Sequence, residues 1–382
     1  MLRFLTAGES HGPGLVAVVE GLPAGIEVSE EGLAAELARR RHGHGRGRRM
    51  ALERDELEIL GGVRFGRSLG GPVAVVIRNT EWPKWSEEMA VGPGEPIRPL
   101  TAPRPGHADL AGMQKYDTMD ARNVLERASA RETAARTAAG YLARQLLAAI
   151  DVSVVSHVVR IGGVSSDMTP EPGDGPRIDA SPVRVLDPQA EEAMVAEIDR
   201  AKDDRDTLGG VVEVVAFGVP PGLGSHVHWD RRIDALLAGA LMSIPAIKAV
   251  EVGDGLSSAA RRGSEAHDEI LLSEDGAGRV TNRAGGIEGG MTTGDPVRVR
   301  AAMKPLSTLM RPLRTVDVST GRPEQAIRER SDVCAVPAAA VVAEQMVAWV
   351  LADEAMRKFG GDTVADFVGA AGQYRRRLDR FP

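Results

Sequence analysis

Five stretches of the 382-residue chain carry side chains suited to moving protons or holding anions. The first, Gly8-Glu9-Ser10-His11-Gly12-Pro13-Gly14, holds an imidazole in a glycine-rich turn. An imidazole there can give or take a proton near neutral pH. The second, Arg39 to Arg49, contains six arginines and two histidines, with Gly43, Gly45 and Gly47 among them. Glycine lets the backbone curl until several guanidinium groups converge. Like charges at ~4 Å repel by about 4 kcal/mol at an effective dielectric near ~20, so such a cluster calls for an anion. The third, Arg104-Pro105-Gly106-His107-Ala108-Asp109, sets a second histidine beside a carboxylate able to orient it. The fourth, Arg127-Ala128-Ser129-Ala130-Arg131-Glu132, reads as a capped helix start, where free N–H groups and the helix dipole favour a phosphate. The fifth is a group in the second half: Lys248-Ala249, the glycine-rich run from Gly285 to Gly294, Lys304 to Thr308, and Arg328-Glu329-Arg330-Ser331-Asp332. Taken singly, each has a plainer reading as an incidental loop histidine, a solvated or RNA-binding basic loop, or an ordinary cap. None has P-loop spacing, and no dinucleotide fingerprint follows a strand, which disfavours ATP and Rossmann NAD sites.

These residues need positioning elements. Strands over 3–6 and 15–20 should flank the His11 turn. A helix from about Ser29, with Glu30 and Glu31 in its first turn and Leu33 and Leu37 on one face, runs into the arginine stretch. Two strands are expected near 58–65 and 72–79. From Trp82 to Gly106 the chain is rich in Pro and Gly and lacks periodicity, too long an interval for an idle connection, so it reads as a functional loop. The clearest helix begins near Ser129: Ser129 and Glu132 make an S-x-x-E capping box, and Ala134, Ala138, Leu142, Leu146 and Ile150 recur every four residues. Further strands are expected at 152–161, 211–217, 247–252 and 297–302, and helices at 188–202, 231–242 and 337–359. Strands and helices interleave without a linker-like break, which predicts a single domain over 1–382 of α+β or α/β class.

Composition narrows the partners. Of 47 basic residues only six are lysine, leaving 41 arginines, yet the net charge is −7. Arginine offers a planar fork that fits phosphate and carboxylate. The negative balance and an aromatic content of 3% argue against a nucleic-acid coat or a base-stacking platform. The single cysteine, Cys334, excludes an internal disulfide framework and a cysteine-based zinc site, and suits a cytoplasmic protein. The N-terminus has no long apolar core, and the apolar stretch 333–352 is interrupted by Glu344 and Gln345. Neither a signal peptide nor a membrane span is expected.

In their order and wording, Gly8 to Gly12, Arg39 to Gly47 with Arg49-Met50, Arg104 to Asp109, Arg127 to Thr133, Gly285 to Gly290, Lys304 to Thr308 and Arg330-Ser331-Asp332 closely resemble the chorismate synthase family. The resemblance runs from residue 4 to about residue 360. It implies a reduced-FMN-dependent 1,4-elimination of phosphate from 5-enolpyruvylshikimate 3-phosphate, giving chorismate in the last step of the shikimate pathway. It implies an α+β fold, a β-α-β sandwich of mainly antiparallel sheets with helices packed on the outside, assembled as a homotetramer.

Carried over motif by motif, the resemblance makes His11 the acid toward the departing phosphate. His107 would protonate or hold the reduced flavin, and Asp332 would assist deprotonation at flavin N5. Ser10, Arg40, Arg46 and Arg49 become substrate-anion ligands, and the family also assigns Arg40 and Arg46 to NADP. Flavin contacts would be Arg127, Ala128, Ser129, Lys248, Ala249, Gly289, Lys304, Pro305, Leu306, Ser307, Thr308 and Arg330, while Arg131 could serve either ligand. No insertion suited to NAD(P)H-driven flavin reduction is evident. The expected partners are therefore the small-molecule substrate and an external flavin reductase, with NADPH as a candidate external reductant and with no metal, nucleic acid or membrane. The competing readings are another FMN-dependent enzyme acting on a phosphorylated acid and a nucleic-acid-binding protein using residues 39–49.

Overall fold

The structure, a computed structural model, describes residues 1–47, 56–273, 276–327 and 331–381. Two antiparallel sheets and a layer of helices make the framework. The first sheet comprises β1 (Arg3–Ala7), β2 (Gly14–Glu20), β3 (Glu56–Gly61) and β4 (Val73–Arg78), in the order β1-β2-β4-β3. Strict alternation sets its two faces: Leu15, Ala17, Val19, Val73, Val75 and Ile77 are buried, while Leu5, Val16, Val18 and Val76 pair across the strands on the other side. The second sheet comprises β5 (Ser153–Ile161), β6 (Val164–Ser165), β7 (Gly210–Phe217), β8 (Ile247–Val252) and β9 (Val297–Met303), in the order β8-β9-β7-β5-β6.

Between the sheets lie α4 (Thr133–Ala148) and α7 (Val336–Phe359). They pack on each other, α4 also on β2 and β4, and α7 also on β5 and β7. Of the 24 residues of α7, 20 are buried, and of the 16 of α4, 12 are buried. A helix apolar on all sides needs such surroundings. The length and apolarity of α7 would suffice to cross a bilayer, and both follow from this central position. At Gly140 of α4 an added Cβ would stand 2.3 Å from Gln345 Cβ, so glycine permits the close approach of the two helices. The β-α-β sandwich of antiparallel sheets is as expected: its principal helices form the inner α layer, and amphipathic helices such as α5 (Pro188–Asp203), which buries only Ala190, Met194, Ile198 and Ala201, pack on the outside.

The other helices of seven residues or more among the described residues are α1 (Glu30–Arg41), α2 (Asp109–Tyr116), α3 (Arg122–Ala128), α6 (Ile233–Met242) and α8 (Val364–Leu378), and a single helical turn, Trp82–Trp85, lies within the interval expected to be a loop. The expected capping box at Ser129 is absent. Residues 130–132 form a 3-10 turn, Ser129 Oγ accepts from Arg131 N at 3.3 Å, and Glu132 turns to Arg136, 2.8 Å away. The reciprocal box occurs instead at Thr363 and Asp366, opening α8.

Candidate active site

The His11 turn joins β1 to β2. At Gly8, φ is +99° and a Cβ would lie 2.2 Å from Gly14 O, so only glycine allows the chain to fold back here. Arg127 braces the turn, donating to Gly8 O and Thr6 O, each at 3.0 Å. His11 is buried against α3. Its backbone N–H donates to Glu126 Oε2 at 2.8 Å, and its Nδ1 lies 2.9 Å from Glu126 Oε1. The Trp85 ring stacks on the imidazole with centroids 4.0 Å apart. Arg122 Nη1 donates to Glu126 Oε1 at 3.1 Å and its guanidinium also faces Glu88 and Trp85. Burial alone would push the Glu126 carboxyl up, but the hydrogen bonds from His11 and the charge of Arg122 hold it below the usual carboxylate range. Ser129 Oγ donates to Ser10 Oγ at 3.2 Å, tying the start of the α4 turn to the same loop.

The second histidine repeats the pattern. His107 Nδ1 pairs closely with Asp109 Oδ1, and Arg104 Nε donates to Asp109 Oδ2 at 2.9 Å. Asp109, the first residue of α2, is fully buried. That would raise its carboxyl, yet His107 and Arg104 hold it well below the carboxylate range. Arg104 Nη1 donates to Thr308 Oγ1 at 3.0 Å, and Lys304 Nζ donates to Gly106 O. The 104–109 and 304–308 segments, about 200 positions apart, thus form one cluster, in which Ser307 Cβ approaches Gly106.

The arginine run divides. Arg39 turns inward, Nη1 2.8 Å from Glu344 Oε1 and Nε 2.9 Å from Asp179. Arg40 is buried and Nη1 donates to Thr133 Oγ1 at 3.5 Å, at the start of α4. Arg46 Nη1 lies 2.8 Å from Asp332 Oδ2, and Gly47 N donates to Asp332 Oδ1 at 2.7 Å. The shielded Arg46 Nε has no hydrogen-bond partner among the described residues. His44 pairs with Asp199 of α5, outside this group.

Hydrogen bonds connect the three clusters. Thr133 joins Arg40 to the turn that carries Ser129, which reaches Ser10. Thr207 Oγ1 donates to Leu306 O at 2.8 Å, and the next residue, Leu208, donates from N to Val333 O at 2.9 Å, beside Asp332. Helices α2 and α3, packed where Gly112 meets Val124, link Asp109 to Glu126. Ser10, His11, Arg40, Arg46, His107, Arg127, Ser129, Lys304, Leu306, Thr308 and Asp332 are therefore parts of one connected assembly. Pro305 and Ser307 lie within its 304–308 segment, Ala128 adjoins Ser129, and Arg131 is half-buried just after it.

The other expected contacts divide: Lys248 and Ala249 neighbour the Lys304 end of β9, and Gly289 lies toward its opposite end. Lys248 and Ala249 are exposed on β8, an edge strand, two and three residues past Ala246, whose O accepts from Lys304 N at 3.0 Å. Gly289 sits in the turn between the two-residue strands Ile287–Glu288 and Met291–Thr292, before the Val297 end of β9, whereas Lys304 follows its Met303 end. Seven strand residues, ~3.3 Å each, separate those ends. Arg49 and Arg330 lie outside the described residues.

Sequence reasoning missed Glu126, Arg122 and Trp85. Only the i,i+4 spacing of Arg122 and Glu126 hinted at them. Cys334 is buried and its thiol pushed up to about 11, which makes it no nucleophile at neutral pH. No group of three His, Cys, Asp or Glu able to hold a metal occurs among the described residues.

Comparison with known proteins decides the family. The chorismate synthase family model matches residues 2–356. Curated chorismate synthases from Salinispora tropica and Acidothermus cellulolyticus are 63% and 64% identical over 377 residues, covering 96% of this chain and of each relative. The chain belongs to the chorismate synthase family. A crystal structure of chorismate synthase superposes with a TM-score of 0.79 at 40% identity, covering 100% of this chain and 99% of that one. Members of the chorismate synthase family are lyases of the shikimate pathway, act on a small-molecule substrate and require reduced flavin.

Proposed function

We propose that this chain binds 5-enolpyruvylshikimate 3-phosphate and reduced FMN together and eliminates phosphate to give chorismate, using the assembly around His11, His107 and Asp332. The observation that carries the reading is the union of two carboxylate-held histidines with Arg40, Arg46, Lys304 and Thr308 in one assembly joined by hydrogen bonds and helix packing. Ser10, Arg40 and Arg46, with Arg49, hold the substrate's phosphate and carboxylates, where guanidinium forks suit both groups. His11 donates a proton to the departing phosphate, and His107 and Asp332 hold or accept protons beside it. The cations stabilise the charge that develops on the leaving group.

The residues fit a flavin phosphate. Arg127, Ala128 and Arg136 line a cavity of about 360 Å³ with Phe4, Thr6 and Glu132, and the separate 304–308 segment offers a cation at Lys304 and a hydroxyl at Thr308. Arg127, Ala128, Ser129, Lys304 to Thr308 and Arg330 would hold FMN, and Arg131 would serve either ligand. Reduced FMN, when bound, supplies electron density to the substrate and takes up the ring hydrogen. Lys248 and Ala249 neighbour Lys304 across the β8–β9 pairing, whereas Gly289 lies toward the other end of β9, so a flavin touching all of them draws on a second copy, in keeping with a homotetramer. One hydrophobic core running from Leu2 to Ala371 supports a single domain over 1–382. The flavin is reduced elsewhere, by an external reductase or by NADPH as the electron source, and the protein works in the cytoplasm without nucleic acid or membrane.

The test is anaerobic incubation with dithionite-reduced FMN and 5-enolpyruvylshikimate 3-phosphate, following phosphate and chorismate. Equal yields of both, with catalytic FMN, are expected. Folded protein that releases neither refutes the proposal. Stoichiometric consumption of reductant would indicate an oxidoreductase instead.

A further inference from the structure

We propose that Glu126 is the positioning residue for His11, and that Arg122 moderates it by sharing the same carboxylate. The inference rests on the reading of His11 as the acid toward phosphate. Glu126 meets both the backbone N–H and Nδ1 of His11, which fixes the loop and the ring together. Its side chain is 2% exposed, so water does not compete for it. With Nδ1 engaged by a carboxylate, Nδ1 carries the proton and proton delivery to the substrate falls to Nε2. Trp85, stacked on the ring, blocks rotation about χ2, and its own place is set by Arg122 over its face.

A carboxylate held by His11 alone would favour the imidazolium strongly. Here part of its charge goes to Arg122, which sits on the same Oε1 at 3.1 Å and also faces Glu88, 3.3 Å away. Among the described residues, the charged groups about His11 include Glu126 and Arg122 from α3 and, through Arg122, Glu88 from the 82–98 segment. Arg127 is committed to the carbonyls of Thr6 and Gly8. The balance between Glu126 and Arg122 tunes how readily His11 gives up its proton.

The two residues should therefore move the titration of His11 in opposite directions, which a merely structural role would not do. The test uses protein with 15N-labelled histidine, the His11 signals assigned by comparison with His11→Gln, titrated without substrate or flavin. Glu126→Gln should lower the His11 midpoint by about one unit or more, and Arg122→Gln should raise it. In turnover assays Glu126→Gln should cut kcat on the order of 10²-fold with little change in KM, and Glu126→Asp should recover part of it. If Glu126→Gln does not fold, the upward shift in Arg122→Gln and the Nδ1–H tautomer in the parent protein carry the test. Unmoved midpoints, shifts of the same sign, or a proton on Nε2 alone in neutral His11 would overturn the inference. Because the titration needs no turnover, it stands or fails separately from the proposed activity.

Discussion

Two histidines of the site share one construction: a carboxylate holds Nδ1, and an arginine from nearby in sequence holds the carboxylate. Glu126 with Arg122 serves His11, and Asp109 with Arg104 serves His107. Both carboxylate–arginine pairs are buried. Asp109 is fully buried and Arg104 only 6% exposed, so their pair is a structural ion pair as well as a support for the ring. Removing the ring and removing the carboxylate should therefore have separable effects. His107→Ala leaves Asp109 and Arg104 together, and is expected to reduce turnover on the order of 10²-fold with an almost unchanged urea midpoint. Asp109→Asn leaves Arg104 buried without its counter-charge, and should lose turnover and also about 3 kcal/mol of stability. Parallel kinetics and urea unfolding check this. Equal stability of the two variants would deny the ion pair that role.

At the level of elements, Glu344 of α7 ties the layers together. Its carboxylate meets Arg39 of α1, Arg144 of α4 and Arg184, and accepts from Ser156 N and Oγ of β5. Burial would raise its carboxyl, but Arg144 and Arg39 bring it down to about 2, from an ordinary 4.5. A lowered carboxyl contributes stability above its unfolded value that is lost as pH falls toward the folded one. The loss should fall between pH ~4.5 and ~2, on the order of 3 kcal/mol. Urea unfolding at stepped pH should reveal it, and Glu344→Gln should flatten that slope while lowering stability near neutrality. Much of this layer is legible in the amino-acid pattern: the four-residue repeat of α4 and the long apolar run of α7 mark both helices. Their place between the sheets is not, because periodicity tells how much of a helix is covered and not what covers it. Helix α3 is hidden for a related reason. Arg122 and Glu126 look like a solvated face, and the partner that buries Glu126 lies 115 positions away. The motif histidines, by contrast, announce themselves through their glycine-rich settings, and Asp109 is visible as the neighbour able to orient His107.

For the whole molecule, net charge is a poor guide to local field. A chain of net −7 gathers Arg40, Arg46, Arg104, Arg122, Arg127 and Arg131 around one site, and spends Arg39, Arg144 and Arg184 on its interior. Its outer surface is equally uneven. Antiparallel sheets with one wet face alternate apolar and polar residues, yet the outward side of the first sheet carries Leu5, Val16, Val18, Ala74 and Val76, with Leu5 66% exposed. An open apolar sheet face of this kind suits packing against another sheet, at the usual ~10 Å separation, and gives the proposed homotetramer a surface on which to form. Charging its centre should cost the assembly far more than the fold, since these side chains point away from the core. Val18→Lys combined with Leu5→Lys is expected to reduce the mass measured by light scattering from four chains to two or one, with an unchanged far-ultraviolet dichroism spectrum. A variant that keeps the parent mass would exclude this face from the assembly contacts. One that falls apart in both measurements would make assembly a condition of folding.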